Sequence, residues 1–246
     1  MKAMILAAGR GERMRPLTDS CPKPLLKVRG RPLIVWHILN LVRAGITEIV
    51  INHAHLGHML EEELGDGSKY GASIAYSRED KALETAGGIA YALPRLGEEP
   101  FLVLSGDIYC PYFDFSQVLD VLPDLDAVGV PIPLDKRDVC WLYLTPNPWH
   151  NTKGDFALSM FSISNDGEPK WNFSNIGVYR PEMFKAITPG ESAKLGLLIR
   201  DYANQGVVGG EIYEGPWVNV GTVGQLEELN APPAARTSIP GPKAAP

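Results

Sequence analysis

Residues 6–18 read Leu6-Ala7-Ala8-Gly9-Arg10-Gly11-Glu12-Arg13-Met14-Arg15-Pro16-Leu17-Thr18, and Pro22-Lys23-Pro24-Leu25 follows soon after. An apolar strand, Ala3 to Leu6, runs straight into this loop, which is the strand-to-loop turn of an α/β sheet. Glycine lets backbone approach a ligand closely, and Gly9 and Gly11 stand two residues apart. Successive backbone N–H groups in such a loop form a concavity for anions. Arg13, Arg15 and Lys23 lie within reach. Arginine adds bidentate contacts to phosphate, and lysine adds a point charge. The loop therefore suits a polyphosphate. It is neither Gly-x-x-x-x-Gly-Lys-Ser/Thr nor Gly-x-Gly-x-x-Gly, which excludes the commoner phosphate binders. Two glycines alone would be an ordinary turn; the three cations favour the ligand reading.

Outward from the loop, strands and helices alternate. Pro32 to Arg43 has apolar residues Leu33, Ile34, Ile38, Leu41 and Val42 at helical spacing, with Gly45 as the stop. Glu48–Ile51 reads as a buried strand, Gly57–Leu64 as a helix stopped by Gly65-Asp66-Gly67, and Ala72–Tyr76 as a strand. Ala86–Leu93 reads as a helix closed by Pro94, and Phe101–Leu104 and Ala127–Val130 as strands. This order implies a parallel sheet covered on both faces. Later, Trp141–Leu144, Phe156–Ile163 and Phe173–Tyr179 read as strands between Pro, Asn and Gly clusters. Ser192–Asn204 is the last long helix before a strand near Val207–Tyr213. The Pro/Ala-rich tail, 231–246, is expected to be flexible.

The 246 residues suffice for one large α/β domain, and a net charge of −6 argues against nucleic acid or an anionic membrane as partner. The longest apolar runs fall short of the roughly 20 residues a membrane helix needs. The chain opens on a core strand, so no signal peptide is expected. Three scattered cysteines, Cys21, Cys110 and Cys140, lack metal spacing, and a reducing cytoplasm fits them.

Ligands of doubly wound sheets bind outside the carboxyl ends of the strands. Four segments fall there: Gly9 to Arg15, Asn52-His53-Ala54-His55, Glu84-Thr85-Ala86-Gly87-Gly88, and Ser105-Gly106-Asp107. Asp107 ends an apolar strand and suits a hard cation that also holds phosphate oxygens; a turn aspartate is the plainer alternative. Thr85 is expected to cap its helix. His53 and His55 read as polar loop residues rather than metal ligands, because no further His or Cys cluster supports them. Lys194 on its own is as readily an exposed helix lysine.

Leu6 to Thr18 with Pro22-Lys23-Pro24-Leu25 resembles the signature of the sugar-1-phosphate nucleotidylyltransferases, and the resemblance spans roughly 1–230. It implies a Rossmann-like, doubly wound, mixed and mostly parallel sheet flanked by helices. It implies one domain, with a nucleotide half over about 1–130 and a sugar half over about 131–230. The implied nucleotide-binding residues are Leu6, Ala7, Ala8, Gly9, Gly11, Arg13, Asn52, Glu84, Gly87 and Gly88, the last three from the base-binding loop. The implied catalytic residues are Arg13, Lys23 and Asp107. The implied sugar contacts are Asp107, Gly154, Asp155, Asn175 and Lys194. Asn147-Pro148-Trp149-His150-Asn151-Thr152-Lys153-Gly154-Asp155-Phe156, with Ile51-Asn52-His53-Ala54 and Leu83-Glu84-Thr85, is similar to the N-acetylmuramate-1-phosphate uridylyltransferase subgroup. The expected substrates are UTP and a sugar 1-phosphate, with pyrophosphate released and Mg²⁺ as cofactor, in peptidoglycan recycling.

One position departs from the family. Its Trp-hydrophobic-Asp-x-Gly-Thr reads here Trp217-Val218-Asn219-Val220-Gly221-Thr222. The family Asp is a metal ligand; Asn219 keeps a carbonyl oxygen but brings one charge fewer. Other readings stay open: a thymidylyl- or guanylyltransferase, or a catalytically weak nucleotide-binding homologue. An NAD-type oxidoreductase is disfavoured by the missing Gly-x-Gly-x-x-Gly spacing.

Overall fold

A computed structural model describes residues 1–123 and 138–232. The expected strand Ala127–Val130 and most of the expected tail, 233–246, lie outside the described residues. The elements run β1 (Ala3–Leu6), α1 (Leu17–Ser20), β2 (Lys27–Val28), β3 (Arg31–Pro32), α2 (Leu33–Arg43), β4 (Glu48–His53), α3 (Gly57–Leu64), β5 (Ser73–Arg78), α4 (Glu84–Leu96) and β6 (Phe101–Ser105). They continue through β7 (Ile108–Tyr109), β8 (Cys140–Thr145), β9 (Phe156–Ser159), β10 (Ser162–Ser164), β11 (Lys170–Tyr179), α5 (Leu195–Asn204), β12 (Val208–Ile212), β13 (Val218–Asn219) and α6 (Val223–Asn230).

Nine strands make one sheet in the order β5-β4-β1-β6-β11-β8-β12-β10-β9. The first four are parallel, so their carboxyl ends share one edge. β11 enters antiparallel between β6 and β8, and β8 and β12 are again parallel. β9 also bonds β11 at Lys170 and Trp171, so β11, β8, β12, β10 and β9 close into a ring that leaves no free edge there.

Alternation along β1 explains the two layers. Ala3 and Ile5 face α2 and α3, packing with Ile34, Ile38, Leu60 and Leu64. Met4 faces α4 and α5, packing with Ile89, Ala90 and Ile199. Each buried Ile, Leu or Met side chain among them contributes roughly 1.5–3 kcal/mol. A third cluster, Met14, Val28, Leu33, Tyr109, Val220 and Leu226, ties the segment after β1 to β7, β13 and α6. Thr222 caps α6 reciprocally with Gln225.

Four expectations are corrected. Phe156–Ile163 is not one strand but the hairpin β9–β10, turning at an exposed Met160 with φ 54°; Met and Phe at the tip carry no turn signal. α4 runs past Pro94 to Leu96, because proline so near a helix end forfeits little hydrogen bonding. Thr85 is not its cap: Leu83 holds that position, and the first helical N–H groups of Ala86 and Gly87 donate to the Ala193 carbonyl at 2.9 and 3.2 Å. α5 begins only at Leu195, since the Ala193 N–H donates to the Leu83 carbonyl at 3.1 Å and holds that segment extended.

Candidate active site

The carboxyl ends of β1 and β6 open on a cleft of about 260 Å³, lined by Leu6, Ala7, Gly9, Gly11, Arg13, Lys23, Asp107 and Gly221 among others. Gly9 faces open space, so a ligand meets bare backbone there. Gly11 has φ 71°, and a Cβ on it would stand 2.9 Å from Thr18 Cγ2. The Thr18 hydroxyl donates to the Gly11 carbonyl at 2.9 Å and closes the loop. Ala8 is buried beside the loop.

Arg13 is exposed and makes no hydrogen bond or ion pair among the described residues, so its guanidinium is free for an anion. Gly221 leaves it room: a Cβ there would sit 3.2 Å from Arg13 Nη2. Arg15 does not join the cleft; it bonds Asp19 at 2.8 Å on the surface. Lys23 is 7% exposed, and its Nζ lies 2.6 Å from Asp107 Oδ2. Residues 84 positions apart thus meet because Gly106 lets the end of β6 tuck under β1, its N–H donating to the Leu6 carbonyl at 2.9 Å.

Asn219 pairs with Ile108 across the β13–β7 ladder, and the Val220 N–H donates to the Asp107 carbonyl at 2.9 Å. The Asn219 Oδ1 is buried and has no hydrogen-bond partner, although a buried amide oxygen ordinarily has one. An orphaned carbonyl oxygen one residue across the ladder from a carboxylate is the donor chemistry a hard divalent cation takes. No group of three His, Cys, Asp or Glu side chains is assembled for a metal among the described residues. Asp107 and Asn219 thus offer two oxygen donors whose chemistry fits a hard divalent cation.

The fully buried His37 stands behind Asp107, its Nε2 bonding the Ile108 carbonyl at 2.9 Å. Burial pushes its pKa down from 6.5 to about 4, against smaller opposing effects of that hydrogen bond and of Asp107. The folded protein keeps it neutral while the unfolded chain takes up a proton below pH ~6.5. Stability is therefore complete above that pH and is lost as pH falls toward 4, by up to about 3 kcal/mol. Urea midpoints at pH 6.5 and 4.5 should fall for the parent, and clearly less for His37→Gln.

The other predicted residues divide. Asn52 is buried at 3% exposure and spends its amide on the protein: Oδ1 accepts from the Ala7 N–H at 2.9 Å, and Nδ2 donates to Glu79 at 2.7 Å. Gly87 and Gly88 are buried packing positions. A Cβ on Gly87 would lie 2.3 Å from the Glu191 carbonyl, and one on Gly88 2.7 Å from Glu79 Oε1. The Gly87 N–H already serves Ala193, so Glu84 and Thr85 are what this segment offers a ligand. Glu84 is exposed with φ 58°, a conformation a non-glycine residue holds only when its surroundings impose it. His53 bonds Glu61 at 2.6 Å and His55 bonds the Thr18 carbonyl at 3.3 Å, which suits polar loop roles.

Gly154 and Asp155 line a separate cleft of about 600 Å³ with Lys153, Lys170 and Arg200. Asp155 accepts from the Phe173 N–H at 2.8 Å and from Asn151 at 3.2 Å, so it staples its loop to β11. A Cβ on Gly154 would stand 2.6 Å from the Lys170 carbonyl, a packing reason for glycine. Asn175 sits at a register break of β11 with φ 61°, and Trp217 Nε1 donates to the Ser174 carbonyl beside it at 2.9 Å. Bulges re-aim side chains. Lys194 is exposed just before α5. Sequence reasoning missed Glu79, which follows β5, a strand of mixed polar and apolar residues, and stands in a charged run that carries no signal of its buried partners.

A family model, nucleotidyl transferase, matches residues 2–135. The N-acetylmuramate alpha-1-phosphate uridylyltransferase of Neisseria meningitidis is 51% identical, over 94% of this chain and 97% of that protein. The chain belongs to the nucleotidyl transferase family. A more distant member, the mannose-1-phosphate guanylyltransferase of Mycobacterium tuberculosis, is 34% identical over 59% of this chain and 45% of its own length. Among solved structures, one named as a glucose-1-phosphate thymidylyltransferase of Bacillus anthracis superposes with a TM-score of 0.77 at 25% identity, covering 98% of both chains. The family transfers nucleotidyl groups to sugar 1-phosphates, and the cleft at β1 and β6 lies within the segment that the family model matches. The mixed α/β sheet is the fold the sequence resemblance implies.

Proposed function

We propose that this nucleotidyltransferase joins UTP to N-acetylmuramate 1-phosphate, releasing pyrophosphate. The observation that carries the choice of base and sugar is the 51% identity to a uridylyltransferase of that sugar phosphate, over nearly the full length of both proteins. In-line displacement fits the cleft. A phosphate oxygen of the sugar 1-phosphate attacks the α-phosphorus of UTP, and the bond to the α,β-bridging oxygen breaks as pyrophosphate departs. The nucleophile is already anionic, so positioning and charge neutralisation suffice.

The unpaired Arg13 holds the β- and γ-phosphates that leave. Lys23 turns its charge toward the α-phosphate from its place beside Asp107. The bare backbone at Gly9 lets the triphosphate lie close. Asp107 and Asn219 would hold Mg²⁺, which supplies charge neutralisation between the phosphates when bound. Around Glu84, the rigid left-handed backbone receives the base, and Asn175 with Lys194 serves the sugar half. The region before residue 130 is the nucleotide half, and the rest, to about 230, the sugar half.

The test is a panel: five nucleoside triphosphates against the 1-phosphates of N-acetylmuramate, glucose, mannose and N-acetylglucosamine, scored by pyrophosphate release. UTP with N-acetylmuramate 1-phosphate should lead. A preference for GTP, or for mannose 1-phosphate, moves the chain to another branch of the family.

The metal pair gives a second measurement. Asn219→Asp replaces a carbonyl dipole with a carboxylate, so half-maximal Mg²⁺ should fall roughly tenfold. An unchanged Mg²⁺ dependence would remove Asn219 from the coordination shell.

A further inference from the structure

The phosphate loop and the segment proposed to receive the base are joined by one buried chain of hydrogen bonds. The Ala7 N–H donates to Asn52 Oδ1 at 2.9 Å. Asn52 Nδ2 donates to Glu79 Oε1 at 2.7 Å. Glu79 Oε2 accepts from the Leu83 N–H at 3.0 Å, directly before the left-handed Glu84. Asn52 and Glu79 are 3% and 6% exposed, and the Glu79 N–H is itself fixed to the His53 carbonyl at 2.8 Å. Burial pushes the Glu79 carboxyl up, while the Asn52 and Leu83 hydrogen bonds pull it down. The ends of β1 and β4 and the start of α4 are thus linked through Asn52 and one carboxylate, Glu79, that lines neither cleft described above.

Gly88 carries the same message. A Cβ there would stand 2.7 Å from Glu79 Oε1 and 2.9 Å from Asn52 Nδ2. Glycine inside a helix is unfavourable relative to alanine. Here its absent side chain is the space in which the Asn52–Glu79 pair lies.

We propose that Glu79 is a positioning residue that fixes the distance between the phosphate loop and the base segment, so that triphosphate and base are recognised as one ligand. The inference rests on the reading that the Glu84 segment receives the base. A glutamine at 79 keeps one acceptor oxygen for Asn52 and turns an amide N–H₂ toward the Leu83 donor. The phosphate loop then stays braced while the base segment is released. Gly88→Ala perturbs the same pair from the helix side by crowding Glu79 Oε1 and Asn52 Nδ2, its gain in helix propensity offsetting part of the overpacking cost.

The experiment measures KM for UTP and for CTP, and the inhibition constant of inorganic tripolyphosphate, with Mg²⁺ present, in the parent, Glu79→Gln and Gly88→Ala. Melting curves run alongside. KM for UTP should rise about tenfold or more, with the loss falling on KM more than on kcat, as expected when bound-state positioning is removed. The preference for UTP over CTP should shrink. Tripolyphosphate inhibition should stay within about twofold of the parent, because that ligand spans only the phosphate loop. Equal weakening of tripolyphosphate and UTP overturns the proposal in favour of a general structural role. Retention of the parental UTP KM and preference by both variants overturns it alone. A parent that shows no preference among bases overturns the base reading, and this inference with it.

Discussion

Asp107→Ala is expected to lower turnover by about 10³-fold or more at every practical Mg²⁺ concentration. The expectation follows from what surrounds the carboxylate. Asn219, which pairs across the ladder with the following residue Ile108, offers only a neutral oxygen, so Asp107 is the one formal charge of the two. Removing it also strands Lys23, which is 7% exposed and has its Nζ 2.6 Å from Asp107 Oδ2. An unpaired buried ammonium is unfavourable, so the variant should also melt lower than the parent. Asp107→Asn is the milder variant: it keeps the volume and an acceptor oxygen for Lys23 and loses only the charge. Pyrophosphate release under saturating substrates, with Mg²⁺ titrated over a wide range, is the measurement. A folded Asp107→Asn protein with near-parental kcat would take Asp107 out of the reaction.

Arg13→Ala and Lys23→Ala are each expected to cost at least ~10²-fold in kcat/KM, about 2.7 kcal/mol of transition-state stabilisation. The two should differ in character. Arg13 has no partner among the described residues, so its loss should leave the melting temperature in place and fall on the departing phosphates. Lys23 is tied to Asp107, so its loss changes the cleft's charge balance before any ligand arrives. Lys23→Met, which keeps the stem and drops the charge, should resemble Lys23→Ala in rate and the parent in stability. Steady-state kinetics with UTP, read beside melting curves, decides. Near-normal turnover in folded Arg13→Ala would remove the guanidinium from the phosphate cradle.

Much of the architecture was legible because its causes are local. The apolar run to Leu6, the helical spacing of Leu33 to Val42 and the Gly65–Gly67 stop each announce an element within a few residues. The expected strands and helices over residues 3–105 stand close to where those patterns put them, while the short α1, β2 and β3 between them were not expected. The cleft-lining loop was legible for a similar reason: Gly9, Gly11 and Arg13 stand within a few residues of the end of β1. Misreadings fell where a neighbour distant in sequence overrode the local pattern. Ala193 satisfies the first N–H groups of α4 and displaces Thr85 from capping it. The Met160 turn belongs to a hairpin held by its pairing, with no residue in the sequence to mark it.

By itself, then, the sequence determined the alternation that makes an α/β sheet, the glycine- and arginine-bearing loop at Gly9 to Arg13, and the Asp107 carboxylate at a strand end. Periodicity and side-chain chemistry act within a few residues, and a linear reading captures them. Only the tertiary structure decided that Lys23 lies against Asp107, that the Asn219 oxygen is left without a partner beside it, and that Asn52 and Glu79 spend their polar atoms bridging two loops. It also decided that Gly88 and Gly154 are glycines for packing, since the space a Cβ would take belongs to residues from other strands. Such pairings depend on which strands lie side by side and in what register. Burial then makes each polar contact obligatory, because a lost partner inside the protein is not replaced by water.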